Sequence, residues 1–418
     1  MVNKEGANGV DNGTRPSDDV LRSVLHDFAR RRLSVDKRLA ELASKHGYSI
    51  KKSKLAELNK EFQVPSPRKP VADGVATALI AEHLEQDIGR RHGPARVQQK
   101  VLLKHGVALS RYQCRKIQHK LDPDGAEARF PHKGRREKKR GQLTAVGIMQ
   151  EVHCDGHEKL GGIALRLGDV GFGIYGFHCH TGKVLHVDVV PNDRNPLTVA
   201  HCYLDFVRET GEISLQLTFD GGTETGYMAA IQTELRCNEL SELDRPATRS
   251  LKSTDNIPAE SMWSYWLEDE GANLKTVLLQ GHDNGLFAPG NPLHVHLFQW
   301  LWSRIIRNHL LQFKDYFNST RRRSQKNKLL PTDAPNEVFA APEEYGLEKL
   351  GIGIPREVVE QFRARLPLSR EHVMRWVPDE FDEIAQYYYE EIGSPQLEHT
   401  FGWEIYRQML PLILEAYM

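Results

Sequence analysis

One short segment that ends in an acidic residue constrains the fold of this chain most strongly. Leu215–Phe219 alternates polar and apolar residues, the pattern of a β-strand with one buried face. Asp220 comes next and is followed by two glycines, so the strand ends at this point and a turn begins. We therefore expect Asp220 at the carboxyl end of a strand, where its side chain can point into an open crevice.

Two further acidic residues have comparable positions. Ile148–Cys154 is predicted to be a strand, with Asp155 near its end and Gly156 after it. Glu260 lies two residues after Pro258, a residue suited to the first turn of a helix. That helix is predicted from apolar residues at helical spacing, namely Met262, Trp263, Trp266 and Leu267. Glu260 would then lie on the first exposed turn of a helix that faces both strand ends.

Three carboxylates gathered in this way suit Mg²⁺ or Mn²⁺, which prefer hard oxygen ligands and leave room for water and phosphate oxygens. Two such ions can activate an attacking water or hydroxyl and stabilise the leaving oxygen of a phosphodiester. Each residue alone has an ordinary alternative, because Asp before Gly is common in turns and Glu is common in first helical turns. The order strand-Asp, strand-Asp, helix-Glu favours a joint site.

At these positions the chain resembles the retroviral-integrase-like DDE transposases and integrase-core proteins of the ribonuclease H superfamily. Asp155 falls where that family has the Asp ending its first core strand. The stretch Asp220–Glu224 resembles the family's Asp-Asn-Gly-x-Glu, with Gly in place of Asn, and Glu260 falls where the family's Glu opens its helix. Beyond the core, Phe313–Arg322 resembles the family's Tyr-Asn-x-x-Arg-Pro-His segment without the Pro-His pair, and Pro331–Phe339 resembles Thr-Pro-x-Glu-Val-Phe.

This resemblance covers residues 90–340. It implies an α/β ribonuclease H-like core with a mixed five-stranded sheet and helices, preceded by helix-turn-helix modules and followed by an α-helical C-terminal region. It also implies that Asp155, Asp220 and Glu260 are catalytic and hold two Mg²⁺ or Mn²⁺ ions. The predicted order of the core, three strands, helix, strand, helix, strand, helix, is the ribonuclease H-like arrangement.

Composition narrows the class of protein. The chain has 418 residues, enough for two or three domains, and its 39% hydrophobic and 27% charged content fits a soluble globular protein. No apolar run approaches the roughly 20 residues of a membrane helix, so we expect no membrane partner. The polar, acidic start of the chain predicts no secretory signal, and five scattered cysteines favour reduced intracellular thiols.

Charge is divided unevenly along the chain. Residues 1–140 hold 31 Lys and Arg against 17 Asp and Glu, a net charge of +14. Because the whole chain has 56 of each kind, the remainder carries −14. A basic front half suggests a polyanion partner such as DNA. The acidic remainder would repel DNA unless metal ions and local basic patches offset it.

The first helical module is predicted at residues 18–64, after a disordered segment at 1–17. Ser34 and Ser49 are expected to cap its second and third helices, and Gly47 to end the second. The helices are Val20–Arg32, Ser34–His46 and Ile50–Phe62, a helix-turn-helix pattern. The expected DNA contacts at the start of the last helix are Lys51, Lys52 and Lys54. A plain helical hairpin with solvated lysines is the alternative.

A second module is predicted at residues 65–128, beginning with a proline-rich linker. Its helices Gly93–Lys104 and Ser110–Leu121, with Ser110 as a cap, resemble the second helix-turn-helix of integrase-type transposases. The basic positions on its last helix are Arg111, Arg115 and Lys116. DNA binding is preferred here over a structural three-helix unit.

Residues 129–147 form a basic connector. Such clusters bind phosphates without sequence preference and also resemble nuclear import signals, so we expect the protein in the nucleus, a solvated linker being the alternative. The connector cations are Arg135, Arg136, Lys138, Lys139 and Arg140. Further nucleic-acid candidates are Lys159 and Lys252 near the carboxylates and Arg321, Arg322 and Arg323 after the core.

In the core region, residues 148–340, the segments Gly171–His178 and Lys183–Val190 are predicted to form a hairpin. The histidines and cysteines of His153–His157 and His178–His180 are not interpreted as a zinc site. Alternate residues of a strand face opposite sides, and no second pair at zinc spacing follows. The residues predicted to be core rather than base-stacking platforms are Trp263, Trp266, Trp300 and Trp302.

Residues 341–418 are predicted to be helical and acidic, a packing or oligomer surface without recognisable chemistry. For the whole chain we expect a DDE-type integrase or transposase that binds DNA through its N-terminal modules and catalyses metal-dependent cleavage and strand transfer. It should act as a homo-oligomer on DNA, because joining two DNA ends needs at least two sites. The alternatives are a catalytically silent, domesticated DNA-binding protein and a metal-dependent nuclease without joining activity.

Overall fold

The structure is a computed structural model that describes residues 12–69, 71–129, 145–237, 245–251, 256–322 and 330–418. Several predictions lie outside the described residues: those for the start of the chain, and those for Arg135, Arg136, Lys138, Lys139, Arg140, Lys252 and Arg323. The chain divides into two compact units, residues 1–133 and 134–418.

Helices make up the regular structure of the first unit in its described part. They are α1 Asp18–Arg30, α2 Val35–His46, α3 Lys52–Glu61, α4 Asp73–Gln86, α5 Pro94–His105, α6 Arg111–Leu121 and α7 Gly125–Arg129. Ser34 caps α2 by accepting a hydrogen bond from the backbone N–H of Lys37, and Gly47 ends that helix in the left-handed conformation. Ser110 caps α6 through the N–H of Gln113. The predictions for these three terminal residues are confirmed.

Two small hydrophobic cores hold these helices. One joins α1, α2 and α3 around Leu25, Phe28 and Leu58, and the other joins α4, α5 and α6 around Ile80 and Val101. One predicted cap is wrong, because α3 begins at Lys52 and its N-cap position is Lys51, without a side-chain cap bond. Ile50 instead packs against the first core, and the helix begins two residues later, at Lys52.

The second unit contains nine short strands in its described part. They are β1 Gly147–Ile148, β2 Glu151–Gly156, β3 Gly173–Cys179, β4 Val184–Val190, β5 Glu212–Ile213, β6 Gln216–Asp220, β7 Thr248–Leu251, β8 Glu348–Lys349 and β9 Ile352–Gly353. Its helices are α8 Gly162–Leu165, α9 Pro196–Thr210, α10 Gly226–Cys237, α11 Ile257–Trp266, α12 Ala272–Asp283, α13 Pro292–Ser319, α14 Pro335–Ala340, α15 Arg356–Ala364, α16 Arg370–Val373, α17 Asp379–Glu391 and α18 Gly402–Ala416.

A mixed five-stranded sheet organises this unit, in the order β4-β3-β2-β6-β7. The pairs β2–β3 and β3–β4 are antiparallel, whereas β2–β6 and β6–β7 are parallel. Helix α9 lies between β4 and β6 in the chain, α10 connects β6 to β7, and α11 follows β7. The predicted mixed five-stranded sheet and the order of its strands and helices are confirmed.

The two faces of the sheet are covered by different cores. Cys154 and Val152 face a core built with α9 and α10. The residues of β2 that alternate with Val152 and Cys154 face the other side of the sheet, where α11 and α13 pack, because side chains alternate along a strand. The tryptophans predicted as core are buried there, namely Trp263, Trp266, Trp300 and Trp302.

The first core strand begins later than predicted. Met149 has a positive φ of 58°, which breaks the extended conformation, so β2 starts at Glu151 and not at Ile148. Gly147 and Ile148 form the separate strand β1, which pairs with β8.

The C-terminal region belongs to the second unit, and several of its elements pair with the strands or enter the cores of that unit. β8 pairs with β1 and β9 pairs with β5. Val359 of α15 and Val373 of α16 enter the core that contains Cys154, whereas Phe381 of α17 and Tyr406 of α18 enter the core of α11 and α13. Within the described ranges, no helix has the length and apolar character needed to cross a membrane.

Candidate metal and nucleic-acid sites

The carboxyl ends of two parallel strands bring Asp155 and Asp220 to the same level. The register between β2 and β6 pairs His153 with Thr218. Continued by two residues, it places Asp155 beside Asp220 on adjacent strands, which lie about 4.8 Å apart in a sheet. Asp220 is also paired with Leu251 on the next strand. Both side chains are half-buried.

Helix α11 carries Glu260 to the same end of the sheet. Asn256 precedes the helix and is fully buried; its Nδ2 donates to the carbonyl oxygen of Cys154 at 3.1 Å. Its Oδ1 lies 2.8 Å from Nδ1 of His153. Trp263 packs directly on Gly176, since a Cβ at that glycine would lie 3.0 Å from the indole ring. Glu260 itself is exposed on the first turn, as predicted.

The charges of Asp220 and Glu260 act on the carboxyl group of Asp155. Burial, followed by the negative charges of Asp220 and Glu260, raises the pKa of Asp155 to about 7. Like charges that raise a carboxyl pKa in this way form a region where a divalent cation is electrostatically favoured. The donor set consists of carboxylate oxygens, the ligand type that Mg²⁺ and Mn²⁺ prefer. Asp155, Asp220 and Glu260 therefore fit such a cation chemically.

These three carboxylates are not the most compact ligand group in the described part of the chain. That group is Glu151, His153 and His180, in which one potential ligand atom from each residue lies within 4.8 Å of the others. Nε2 of His153 lies 3.1 Å from Nδ1 of His180 and 3.4 Å from Oε1 of Glu151. The structure therefore contains a possible metal-binding triad that differs from the predicted carboxylate set.

The expectation that the histidines form no metal site needs correction at this point. Strand alternation separates His153 from Cys154, but it places Glu151 and His153 on one face of β2. The antiparallel register pairs Val152 with Cys179, so His180 lies opposite Glu151. The register between β2 and β3 brings these three residues together, whereas the sequence argument considered only His and Cys ligands. Burial is the main cause that lowers the pKa of His153.

Two further side chains, Asp193 and His157, lie near the carboxylates, and of these the sequence analysis did not single out Asp193. Asp193 lies against the backbone of Gly156 and Gly173, and burial followed by the charge of Glu158 raises its pKa to about 6. His157 stacks on Trp263, with ring centroids 4.9 Å apart. Burial, and secondarily Lys159, lowers the pKa of His157 to about 4. It is therefore a neutral, apolar-packed side chain at neutral pH.

The predicted DNA-binding cations of the first unit lie on its surface. Lys51, Lys52 and Lys54 are exposed at the start of α3, where Lys52 pairs with Asp36 at 2.7 Å and Lys54 with Glu57 at 2.8 Å. On α6 the exposed cations include the predicted Arg111, Arg115 and Lys116. Tyr112, 76% exposed, stands among them, an aromatic side chain that the sequence analysis did not single out.

The described cations of the second unit have contrasting environments. Lys159 is exposed close to Asp155 in sequence, and Arg321 is exposed with a long contact of 3.7 Å to Asp333. Arg322 instead donates to the carbonyl of Gly182 and lies 4.5 Å above the ring of Phe317. Burial lowers the pKa of Arg322 to about 10. Its contacts indicate that it anchors the end of α13 to the β3–β4 turn.

Comparisons with known proteins add no assignment. A scan against protein-family models gives no match to this chain, and a search of curated proteins gives none.

Proposed function

We propose that this protein is a DDE-type polynucleotidyl transferase that cuts DNA and joins DNA strands with the help of divalent metal ions. The observation that carries the proposal is the position of Asp155, Asp220 and Glu260 at the carboxyl end of a mixed sheet, where the charges of Asp220 and Glu260 add to burial in raising the pKa of Asp155. They come from two adjacent strands and the following helix, in the order expected of the resembled family.

The strand arrangement gives independent support. Three antiparallel strands are followed by a helix, a parallel strand, a second helix, a second parallel strand and the helix that carries Glu260. This sequence of elements, with the first strand at the centre of the sheet, resembles the ribonuclease H-like core. We therefore propose that fold for residues 148–340.

Asp155, Asp220 and Glu260 would hold Mg²⁺ or Mn²⁺, with two ions proposed. When bound, such ions promote attack by water or a DNA 3′-hydroxyl and stabilise the leaving oxygen. Asp155 must lose its proton to act as a ligand; its raised pKa of about 7 means that the carboxyl keeps this proton to a higher pH than an ordinary carboxyl, and a bound cation would favour its release. Asn256 would position the Glu260 helix through its two bonds to β2.

DNA would be held by the first unit, whose exposed cations on α3 and α6 can neutralise phosphates. Tyr112 adds an exposed ring that can contact a base or sugar. Strand transfer joins two ends, so we propose a homo-oligomer on DNA.

The test is cleavage and joining of labelled DNA duplexes with Mg²⁺ or Mn²⁺. Asp220→Asn should abolish both products, while the matched control Asp283→Asn, on an exposed residue of α12, should leave them unchanged. Equal activity in wild type and Asp220→Asn would overturn the assignment of the carboxylates. Cleavage without joined products would favour the nuclease, and DNA binding without any reaction would favour the domesticated DNA-binding protein.

A further inference from the structure

We propose that Glu151, His153 and His180 form a second metal site, for an ion of the Zn²⁺ class, that fixes β2 to the β3–β4 turn and to helix α11. This site is distinct from the carboxylate cluster and does not depend on the DNA chemistry proposed above. Its ligands are two imidazoles and one carboxylate, a donor set used by zinc, whereas Mg²⁺ prefers oxygen ligands alone.

The distances between potential donor atoms are close to those of a tetrahedral site, counted to Oε1 of Glu151 for one imidazole and to Oε2 for the other. Donors bound to zinc at about 2.0–2.1 Å in a tetrahedron are about 3.3–3.4 Å apart. Nε2 of His153 lies 3.1 Å from Nδ1 of His180 and 3.4 Å from Oε1 of Glu151. Nδ1 of His180 lies 3.8 Å from Oε2 of Glu151. Three protein donors leave a fourth position for water.

Asn256 fixes the tautomer of His153 that a metal requires. The Nδ2 group of Asn256 donates to the carbonyl of Cys154, so its Oδ1 faces His153. Nδ1 of His153 therefore carries the proton that it donates to Oδ1, and Nε2 of the neutral ring carries a lone pair. A hydrogen bond from the remote ring nitrogen is the usual support of a metal-bound histidine.

That lone pair faces Nδ1 of His180 at 3.1 Å and a carboxylate oxygen of Glu151 at 3.4 Å. A proton on Nδ1 of His180 would satisfy the lone pair when no metal is bound, and a cation among the three donors would replace that proton. The hydroxyl of Thr218 donates to Oε1 of Glu151 at 2.7 Å and orients the carboxylate toward the imidazoles. The side chain of His153 is 4% exposed and those of Glu151 and His180 are 13% and 14% exposed, so bulk water screens the group weakly.

A metal bound at this site would also hold the elements that carry the carboxylate cluster. Glu151, His153 and Asp155 alternate along one face of β2, so a metal here would hold the strand just before the carboxylate cluster. Through Asn256 it would also hold the start of the helix that carries Glu260. His153 and His180 are thus positioning residues in this proposal.

The experiment is a titration of the metal-stripped full chain with Zn²⁺, followed by calorimetry and by thermal unfolding. We expect one tightly bound Zn²⁺ and a higher unfolding temperature in its presence. His180→Gln should weaken Zn²⁺ affinity at least tenfold, whereas the matched control His282→Gln, an exposed imidazole of α12, should not. Should His180→Gln fail to fold, Glu151→Gln replaces it, with the same loss expected.

Asp220→Asn separates this proposal from the function proposed above. It should keep Zn²⁺ binding while losing activity with Mg²⁺, so either proposal can fail alone. Replacement of Zn²⁺ by Co²⁺ gives a spectroscopic readout, because tetrahedral Co²⁺ absorbs strongly in the visible range and His180→Gln should remove that absorption. Absence of Zn²⁺ binding by the wild type, or equal affinity in His180→Gln and wild type, would show that these residues form only a hydrogen-bonded chain.

Discussion

The half-buried carboxyl group of Asp155 makes the stability of the fold depend on pH, and the same group is a proposed metal ligand. Its pKa of about 7 exceeds the value of about 3.9 for an unfolded chain. Between these values the folded protein holds a proton that the unfolded chain has released. The free energy of unfolding therefore falls as pH rises across that window. Above pH 7, without a bound cation, the folded protein keeps the whole of this loss in stability, because Asp155 is then ionised in both states.

Asp155→Asn should consequently stabilise the metal-free protein at pH 8 while abolishing activity. We expect a gain of about 1–3 kcal/mol in the free energy of unfolding, which should vanish near pH 3, where the carboxyl is protonated in both states. Urea unfolding in a chelating buffer at several pH values measures it, with Asp283→Asn as the control. A variant less stable than wild type at pH 8 would contradict the raised pKa of Asp155, which is caused first by burial and then by the charges of Asp220 and Glu260.

At the residue scale the sequence predicted that the acidic residues lie at strand ends and in a first helical turn, but not that Glu151, His153 and His180 approach one another. Asp220 was predictable because strand alternation ends visibly at the two glycines after it. The triad of Glu151, His153 and His180 depends on the register of a hairpin and on the rotamer fixed by Asn256, over a hundred residues away in sequence. Neither is encoded in local spacing.

Helix α11 is the element on which the proposed active site depends, because it alone brings in Glu260. The sequence predicted its start from Pro258, and the structure agrees. How it docks was not predictable, since the contacts of Asn256 and Trp263 join it to β2 and β3 through side chains with no sequence pattern in common.

Asn256→Ala should loosen this docking. It removes one buried hydrogen bond to Cys154 and one to His153, which is expected to cost about 1–3 kcal/mol in stability. Activity should fall chiefly through kcat, because the Glu260 helix is misplaced while DNA binding by the first unit is kept. Thermal unfolding and steady-state kinetics measure both effects, with Asn284→Ala, at the end of α12, as the control.

Gly176→Ala tests the same docking from the strand side. The added methyl group would lie 3.0 Å from the Trp263 ring and 3.2 Å from Met262, so the helix must shift outward. We expect a loss of about 1–3 kcal/mol in stability and a clear loss of activity. Gly226→Ala is the matched control, because a Cβ there meets nothing within 4 Å. Equal behaviour of the two variants in unfolding and cleavage assays would contradict the proposed packing role of Gly176.

On the scale of the whole molecule, charge is partitioned between the units, and this partition predicts the salt dependence of DNA binding. The combined variant Arg115→Gln and Lys116→Gln should weaken affinity for all DNA sequences and reduce the slope of log K against log salt by about 1–2. Fluorescence anisotropy of a labelled duplex over a range of salt concentrations measures the slope. Arg407→Gln, an exposed cation of α18, serves as the control; an unchanged slope in the double variant would exclude α6 from the interface.

The general architecture followed from the sequence, but the role of the C-terminal region did not. Alternating strands and amphipathic helices predicted the order of the elements, and the resemblance implied their arrangement in a mixed five-stranded sheet. β8 and β9 are two residues each, too short for any periodicity, and they were predicted within a helical region. Their pairing with β1 and β5 is a long-range contact that local propensity cannot reveal.

The separate cores of the two units have a consequence for synthesis on the ribosome. The core that buries Trp300 and Trp302 also needs Tyr406, Met409 and Ile413, which are translated much later. Among the described residues, the two cores of the first unit are built from its own residues, so it can fold while the rest of the chain is still emerging. Under the function proposed above, a nascent chain would display its basic helices before its carboxylate cluster is assembled, and chains that stop short of α18 would bind DNA without cutting it.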